Sequence, residues 1–418
     1  MTSSKVRRGP EEILLPAGFS LSALAAGIKA SGRPDLALVE IADGAAAAAL
    51  FTRNRVVAAP VEVGRASLAA TRGRVRAVIV NSGNANCATG RAGILACRRV
   101  CSDAASLIGA APSEVFPSST GIIGVPLPDG KIRAKLPELV RARSANLEAA
   151  GEFARAIMTT DTRPKIASAR VRTSRKKQSS KSAAGEGDVT VLGIAKGAGM
   201  IHPQLATMLV YIFTDLRATA GQLRVHLRDA CDESFNCMSI DGDTSTNDTV
   251  LLLASGASGA RLDEAGVKMK FSDALNRVCQ SLAEQIISDG EGVQHVIRLH
   301  VAGAHTRDEA LKVARTIAHS LLVKTAWAGA DPNWGRILAA VGRCGAAIDP
   351  AKVNIFIGGQ KVCARGVAAA FDQQRAHQAL AAEECDVRVE LGRGRESVVF
   401  LTTDLTAEYV RINADYST

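Results

Sequence analysis

Eight polar, glycine-rich clusters hold the residues whose types and spacing could do chemistry. Loops that follow strands commonly carry catalytic and binding residues, because a rigid scaffold positions them. One such cluster is ordinary loop chemistry, but eight predict loops that converge on a polar pocket. The clusters are NSGNANCATG (81–90), SSTGIIG (118–124), MTTDTRPK (158–165), KGAGMIHPQLATML (196–209), DGDTSTNDT (241–249), SDGEG (288–292), ADPNWGRILAAVG (330–342) and INADYST (412–418).

One of these clusters joins a loop to an apolar run at Ala206-Thr207. A threonine hydroxyl is a weak nucleophile unless a neighbouring base activates it. None of the seven histidines has a convincing nucleophile-base setting. His202 lies five residues before Thr207 and is expected to be structural or solvated. A hydrolase or transferase with this sequence would therefore need a base other than histidine.

Several familiar site motifs are absent from the sequence. It has no G-x-x-x-x-G-K-[ST] phosphate loop, G-x-S-x-G elbow, H-E-x-x-H or C-x-x-C. The stretch DGDTSTND begins like a calcium loop but has Thr246 where a glycine is needed and Leu252 where a glutamate is needed. We therefore predict no metal site.

Composition fits a soluble globular protein and gives little support to nucleic-acid binding. The chain has 418 residues, of which 47% are hydrophobic, 22% charged and only 4% aromatic. Aromatic platforms for base stacking are therefore scarce. The formal net charge is +10, but residues 163–188 alone hold eight Lys/Arg and two Asp/Glu. A solvated basic loop at about 170–187 explains this charge better than nucleic-acid binding does, although the latter stays an alternative.

Cysteine use and hydropathy indicate the cytoplasm. The nine cysteines are odd in number and scattered, which favours reduced thiols over a disulfide framework. No apolar run approaches the ~18 residues of a membrane span, and no signal-peptide pattern begins the chain. We expect neither membrane nor nucleic acid among the partners.

Short β-branched runs alternate with alanine-rich helical stretches, a pattern that predicts an α/β sandwich of stacked sheets flanked by helices. The predicted helices are 88–109, 136–157, 221–240 and 273–287. The predicted strands are 75–83, the start of 113–124, 189–197, 207–215, 249–256, 296–303, 352–359 and 396–405.

The clusters resemble those of the ornithine acetyltransferases, also called glutamate N-acetyltransferases, of the cyclic arginine pathway. The most specific segments are K-G-x-G-M-I-x-P-x-x-A-T-M-L, D-G-D-T-S-T-N-D-T and D-P-N-W-G-R, and their order along the chain matches. The resemblance covers about residues 18–418. It implies an N-terminal-nucleophile-like fold with a smaller C-terminal α/β lobe at about 295–400.

The resemblance implies that the precursor cleaves itself between Ala206 and Thr207. The products would be an α chain of residues 1–206 and a β chain of residues 207–418. Cleavage would free the α-amine of Thr207, whose pKa of roughly 7.7–8.0 suits a general base near neutral pH. Thr207 would then take acetyl from N2-acetylornithine and pass it to glutamate.

The resemblance also assigns the other site residues. Thr120, through its hydroxyl, and Gly121, through its N–H, would form the oxyanion hole. Lys196 would bind a substrate carboxylate, and Glu291 a substrate ammonium group. Further substrate contacts are implied for Thr160, Asn413 and Thr418. No cofactor is implied apart from acetyl-CoA as an additional co-substrate in bifunctional members, and the expected assembly is an α2β2 heterotetramer.

The sequence departs from the family pattern at a few positions. Ala198 stands where serine is usual, Gln204-Leu205 where Asn-Met is usual, and Cys87-Ala88 where Ala-Cys is usual. These changes bear on cleavage rate or substrate preference rather than on the chemistry itself. An N-terminal-nucleophile amidase or aminopeptidase of similar fold stays open as the alternative enzyme. It would share the cleavage but use water as the acceptor.

Overall fold

The computed structural model describes residues 13–173, 187–202 and 208–415. Its strands are β1 Ser20–Leu24, β2 Leu36–Phe51, β3 Arg74–Asn84, β4 Val115–Ile122, β5 Lys165–Val171, β6 Val189–Lys196, β7 Leu209–Thr214, β8 Met238–Ser239, β9 Thr249–Ala254, β10 Val296–Ala304, β11 Asn354–Ile357, β12 Gln360–Ala364, β13 Val367–Ala368, β14 Glu384–Glu390 and β15 Glu396–Thr403. Its helices are α1 Ala59–Ala70, α2 Gly90–Ile108, α3 Asp129–Arg141, α4 Leu147–Ala156, α5 Ala220–Asp232, α6 Val267–Ile287, α7 Arg307–Ala318, α8 Leu321–Ala328, α9 Trp334–Gly342, α10 Gln373–Leu380 and α11 Ala407–Asp415.

Eight of the strands form one mixed sheet in the order β4-β3-β2-β9-β7-β6-β5, with β1 paired to β2. The pairs β3–β4 and β7–β9 are parallel, whereas β5–β6, β6–β7, β2–β3 and β2–β9 are antiparallel. Helices α5 and α6 contribute to the core on one face, and α4 to the core on the other. The predicted α/β sandwich is therefore confirmed.

Strand β7 shows why the TMLVYIF segment reads as a continuous apolar run. Val210 and Ile212 pack into the core shared with α5 and α6, whereas Leu209, Tyr211 and Phe213 pack into the opposite core with α4. Successive side chains of a strand point to opposite faces, so a strand covered on both sides needs apolar residues throughout. This strand lies between β6 and β9 and brings the segment after residue 207 into the middle of the sheet.

The second sheet has seven strands in the order β13-β12-β11-β14-β10-β15-β8. Its core is almost wholly apolar and includes Leu299, Trp327, Val387 and Phe400, all nearly inaccessible to solvent. Helices α7, α8, α9 and α10 add further apolar side chains to this core. The α-chain and β-chain boundaries and the C-terminal lobe stay predictions.

Three predicted element boundaries need correction. The helix predicted at 136–157 is two helices, α3 and α4, because the chain turns after Arg141 and Asn146 caps the second one. The helix predicted at 221–240 ends at Asp232, and a 3-10 turn and strand β8 follow. The predicted basic loop begins later than residue 170, since Arg170 and Val171 belong to β5. Residues 174–186 of that loop lie outside the described residues.

All nine cysteines are buried and unpaired, as expected of reduced thiols that pack as small apolar side chains. Burial raises the pKa of thiols such as Cys231 well above its usual value, which keeps them protonated. Among the helices of the described ranges, none combines the length and hydropathy needed to cross a bilayer.

Candidate active site

Six of the predicted site residues line a single open cleft. This cleft has about 570 Å³ of empty space, including solvent-open space. Three further predicted residues, Ala206, Thr207 and Thr418, lie outside the described residues. The predicted residues in the cleft wall are Thr120, Gly121, Thr160, Lys196, Glu291 and Asn413, alongside Ala85, Ile123, Thr159, Gly199, Met200, Ser245, Thr246 and Asn247.

The end of β4 brings Thr120 and Gly121 to the cleft. This strand runs parallel to β3, and its register pairs Ser82 with Thr120 and Gly83 with Gly121. Gly121 has a φ of +132°, and a Cβ there would lie 2.3 Å from the backbone carbon of Gly83. Only glycine fits this approach of two backbones, and Gly121 lines the cleft next to Thr120. The sequence SSTG therefore supplies a hydroxyl and an amide side by side.

Lys196 ends β6, and its ammonium group is almost completely buried at the cleft. Its Nζ donates to Thr159 Oγ1 at 2.7 Å and to Thr120 Oγ1 at 3.3 Å. An ammonium group has three protons, so one remains for Asp161, whose Oδ2 is 3.9 Å away, or for a ligand. Burial lowers the pKa of Lys196, which the nearby Asp161 and Glu291 carboxylates oppose. Because Thr120 accepts from Lys196, its own proton can point toward a ligand.

Three fully buried charges behind Lys196 form what we call the Lys165 clasp, which consists of Asp161, Lys165 and Asp289. The Nζ of Lys165 contacts Asp161 Oδ1 and Asp289 Oδ2, each at 2.6 Å. Burial alone would raise the pKa of Asp161, but Lys196 and Lys165 together lower it to about 2. Removing one partner of such a buried pair typically costs about 3–5 kcal/mol, because the other charge is left uncompensated.

Glu291, in the SDGEG loop, lines the same cleft as Lys196 and lies close enough to influence its charge. Its backbone N–H donates to Ala198 O at 2.8 Å, and its Oε2 accepts from Asn413 Nδ2 at 2.9 Å. A Cβ at position 199 would lie 2.4 Å from Glu291 Oε2, so the glycine of KGAG gives the carboxylate its space. The cleft therefore has a cationic and an anionic wall, an arrangement suited to a zwitterionic ligand.

The DGDTSTNDT segment organises the cleft through side-chain-to-backbone hydrogen bonds. Asn247 donates to Ala85 O at 2.6 Å and to Ser119 O at 2.9 Å, which links three of the polar clusters. Asp241 accepts from the N–H of Met200 at 2.6 Å. Its burial raises the pKa of Asp241 to about 6.

The described residues on both sides of 203–207 make defined contacts with their neighbours in the fold. Met208 is buried, and its N–H donates to Asp248 Oδ1 at 2.9 Å. Leu209 pairs with Lys196 across β6 and β7. His202 lies beside His319 with ring centroids 5.0 Å apart, which agrees with its expected structural role.

One of the eight clusters does not join the cleft as predicted, and one feature was missed. Asn333 of the DPNWGR segment caps α9 and Trp334 packs on the second sheet, and among the described residues this segment does not line the cleft. The Lys165 clasp was not predicted, although its residues lie in or beside quoted clusters. The available signal was an aspartate and a lysine four residues apart in MTTDTRPK.

Comparisons with known proteins extend over nearly the whole chain. A family model described as the ArgJ family matches residues 20–418. The arginine biosynthesis bifunctional protein ArgJ of Methylococcus capsulatus is 47% identical and covers 96% of this chain and 96% of its own. The protein of the same name from Thermus thermophilus is 45% identical and covers 97% of this chain and 100% of its own. Among solved structures, ornithine acetyltransferase complexed with ornithine from Mycobacterium tuberculosis is 39% identical, covers 46% of this chain and 94% of its own, and has a TM-score of 0.38.

Proposed function

The chain belongs to the ArgJ family, and from this premise we propose that it transfers an acetyl group from N2-acetyl-L-ornithine to L-glutamate. It is thus an acyltransferase of arginine biosynthesis. The observation that carries the proposal is the cleft, whose wall combines a hydroxyl–amide pair, a buried ammonium group and a carboxylate. An acylated diamino acid offers a carbonyl, a carboxylate and an ammonium group, which these groups complement.

The first chemical step is self-cleavage at Ala206-Thr207. The Thr207 hydroxyl oxygen attacks the Ala206 carbonyl carbon, the C–N bond breaks, and the nitrogen takes the proton. Water then hydrolyses the ester, which leaves a carboxylate on Ala206 and a free α-amine on Thr207. The anchoring of Met208 by Asp248 and the pairing of Leu209 with Lys196 support a position for Thr207 at the cleft.

The second step loads acetyl onto Thr207. Its α-amine, with a pKa of roughly 7.7–8.0 in model peptides, takes the hydroxyl proton as the oxygen attacks the acetyl carbon. The tetrahedral intermediate collapses with loss of ornithine, whose nitrogen receives that proton. The α-amine of glutamate then attacks the acetyl ester, and the proton it loses returns through the Thr207 amine to the departing oxygen.

Both tetrahedral intermediates carry an oxyanion that needs donors. The Thr120 hydroxyl and the Gly121 N–H supply them in this proposal. Lys196 donates to Thr120 Oγ1, which turns the threonine proton toward the oxyanion and makes the hydroxyl a stronger donor. The remaining proton of Lys196 is available for the substrate carboxylate.

Substrate recognition uses the two charged walls. Lys196 binds the α-carboxylate and Glu291 the side-chain ammonium of ornithine. Asn413 holds the Glu291 carboxylate at 2.9 Å, and Thr160 completes the wall between them. The proposal extends to Thr418 as a further contact. Burying these substrate charges is favourable only because each meets a partner of opposite sign.

The mature enzyme is inferred to be a cytoplasmic α2β2 heterotetramer that needs no metal or cofactor. Nine unpaired buried cysteines favour a reducing compartment. The curated relatives are named bifunctional, which supports acetyl-CoA as a second acetyl donor to glutamate.

Light scattering should give about twice 43.6 kDa for the assembly. Activity should survive dialysis against a chelator, and coenzyme A should appear when acetyl-CoA replaces N2-acetylornithine.

Intact mass and an acetyl-transfer assay test the proposal together. The purified protein should give two chains, the second beginning TMLVYIF, and should make N-acetylglutamate from N2-acetylornithine and glutamate. Thr207→Ala should block both cleavage and transfer, whereas Thr325→Ala, an exposed threonine on α8, should change neither. A single inert 43.6 kDa species would contradict the proposal. Release of acetate at a rate independent of glutamate would indicate the amidase instead.

A further inference from the structure

Lys165 is a fully buried lysine that the chemistry above does not use. Its Nζ lies between Asp161 and Asp289, 2.6 Å from an oxygen of each. Among the described residues it does not line the cleft. A lysine buried this completely needs carboxylate partners, but the two partners here come from segments more than 120 residues apart in the chain.

Each carboxylate of the clasp belongs to a different charged wall. Asp161 Oδ1 accepts the N–H of Gly197 at 2.6 Å, and Asp161 Oδ2 is 3.9 Å from Lys196 Nζ. It is therefore attached to the cationic wall at two points. Asp289 lies two residues before Glu291, in the loop that carries the anionic wall. Asp289 also accepts from the N–H of Thr162 at 3.1 Å and from its hydroxyl.

Lys165 consequently bridges the supports of the two walls. The hydrogen bond from Glu291 N–H to Ala198 O, at 2.8 Å, joins the segments of the two walls directly. The two carboxylate oxygens that share Lys165 lie within about 5 Å of each other, a distance at which like charges repel strongly without a cation between them.

We propose that Lys165 is a positioning residue that fixes the span between the Lys196 ammonium and the Glu291 carboxylate, and thereby the length of diamino acid that the cleft accepts. This inference rests on the proposed function, since it concerns how that site selects its donor. Without Lys165, Asp161 and Asp289 repel, the walls move apart, and the preference shifts toward longer donors. Preorganised sites depend on such supporting contacts, and a displacement of about 1 Å can cost about 100-fold in rate.

The test compares three donors that differ by single methylene groups: the N2-acetyl derivatives of 2,4-diaminobutyrate, ornithine and lysine. The wild-type enzyme should prefer the ornithine derivative by about 10–200-fold in kcat/KM, the discrimination typical of one methylene. Lys165→Met should lower kcat/KM for the ornithine derivative and shift the lysine-to-ornithine ratio about tenfold toward the lysine derivative. An unchanged ratio, or a shift toward the shorter donor, would overturn the inference.

A second substitution separates repulsion from general loosening of the fold. Adding Asp289→Asn to Lys165→Met removes the repulsion and should return the ratio toward the wild-type value. Failure of this double variant to restore the ratio would also overturn the inference. If Lys165→Met does not fold, Thr162→Val decides the matter, because it removes only the hydroxyl donor to Asp289 and should give a smaller shift of the same sign.

Lys324 offers a matched control. It is the other lysine of the described chain with almost no exposed surface besides Lys165 and Lys196, and its Nζ donates to Thr403 rather than to the clasp. Lys324→Met should leave the donor ratio unchanged, and an equal shift in this variant would contradict a specific role of Lys165. A wild-type enzyme inert with all three donors would instead refute the proposed function, so the two failures are distinguishable.

Discussion

The cleft and the core of the seven-stranded sheet bury lysines in different ways. At the cleft, Lys165 lies between two carboxylates, and the charges of Asp161, Asp289 and Lys196 balance around it. Beside the second sheet, Lys324 donates to the hydroxyl and carbonyl oxygens of Thr403. Burial lowers the pKa of Lys324 to about 8, although Asp404 and Asp241 oppose the shift.

The difference shows what each region contributes. The cleft region buries ionised groups whose desolvation a close partner offsets, a costly arrangement that we propose serves binding and catalysis. The second sheet buries Leu299, Trp327 and Phe400 in an apolar core, which stabilises the fold through hydrophobic burial. Substitutions at the cleft should therefore alter rates and specificity, whereas substitutions in the second core should alter stability.

The largest expected effect on stability is in the second core. Phe400→Ala should lower the free energy of unfolding by about 3–5 kcal/mol, because it removes a fully buried ring from β15 and leaves a cavity. Urea denaturation measures the loss. At low temperature, where the variant is folded, kcat should equal that of the wild type. A large fall in kcat under those conditions would mean that the two regions are coupled.

The counterpart at the cleft is Thr120→Val, which keeps the shape of the side chain and removes its hydroxyl. We expect kcat to fall by about 10²–10³-fold, equivalent to about 2.7–4 kcal/mol of transition-state stabilisation. The urea midpoint should change little, because the hydroxyl accepts only one side-chain hydrogen bond, from Lys196. A fall in kcat of less than about threefold would exclude Thr120 from the oxyanion hole, given that scale.

Strand β7 and the cleft residues show how much of the molecule could be predicted from sequence. The apolar run at 207–215 predicted a strand, and the structure has β7 at Leu209–Thr214 with an apolar core on each face. Residues 36–51 carried no prediction, and their alanines form a strand only because β3 and β9 pair with them. Alanine has low strand propensity, so tertiary pairing decides this segment.

The Lys165 clasp was not predicted because it too depends on tertiary contacts. The contact between Lys165 and Asp289 joins residues 124 positions apart, and no local pattern encodes it. Residues quoted as members of clusters were brought together as expected, including Thr120, Lys196 and Glu291. Which charged groups pair with one another is decided by how β5 packs against the loop after α6, and the sequence does not show that packing.

Asp241, beside the cleft, and His319, at the end of α7, should make stability depend on pH in opposite directions. Burial raises the pKa of Asp241 to about 6, whereas burial and the neighbouring His202 lower the pKa of His319 to about 4. Ionising Asp241 in the folded state costs stability as the pH rises from about 4 to 6. Protonating His319 in the unfolded state costs stability as the pH falls from about 6.5 to 4.

Each substitution at this junction should reveal how the remaining group alone makes stability depend on pH. Asp241→Asn should leave a protein that loses stability as the pH falls from 6.5 to 4, and His319→Gln one that loses stability as the pH rises from 4 to 6. Over its pH range, the unfolding free energy of each variant should change by at most about 3 kcal/mol. Unfolding free energies measured between pH 4 and 7 check both signs. Identical pH profiles for the two variants would contradict this assignment.

The smallest expected effect comes from two helix caps, one in each region. The side chain of Asn146 accepts from Ala149 N–H at 2.8 Å at the start of α4, and that of Thr306 accepts from Glu309 N–H at 3.1 Å at the start of α7. Asn146→Ala and Thr306→Ala should each cost about 1 kcal/mol of stability. Thermal or urea unfolding measures both losses.

Only α4 leads into the MTTDTRPK segment, so the caps also test how well the cleft is isolated from its supporting helix. Asp161 is fixed by Lys165, by the N–H of Gly197 and by the N–H of Thr159, independently of the first turn of α4. Neither cap variant should therefore change kcat or the preference among donors of different length. A shift of that preference in Asn146→Ala alone would show that α4, rather than the Lys165 clasp, sets the span between the two charged walls.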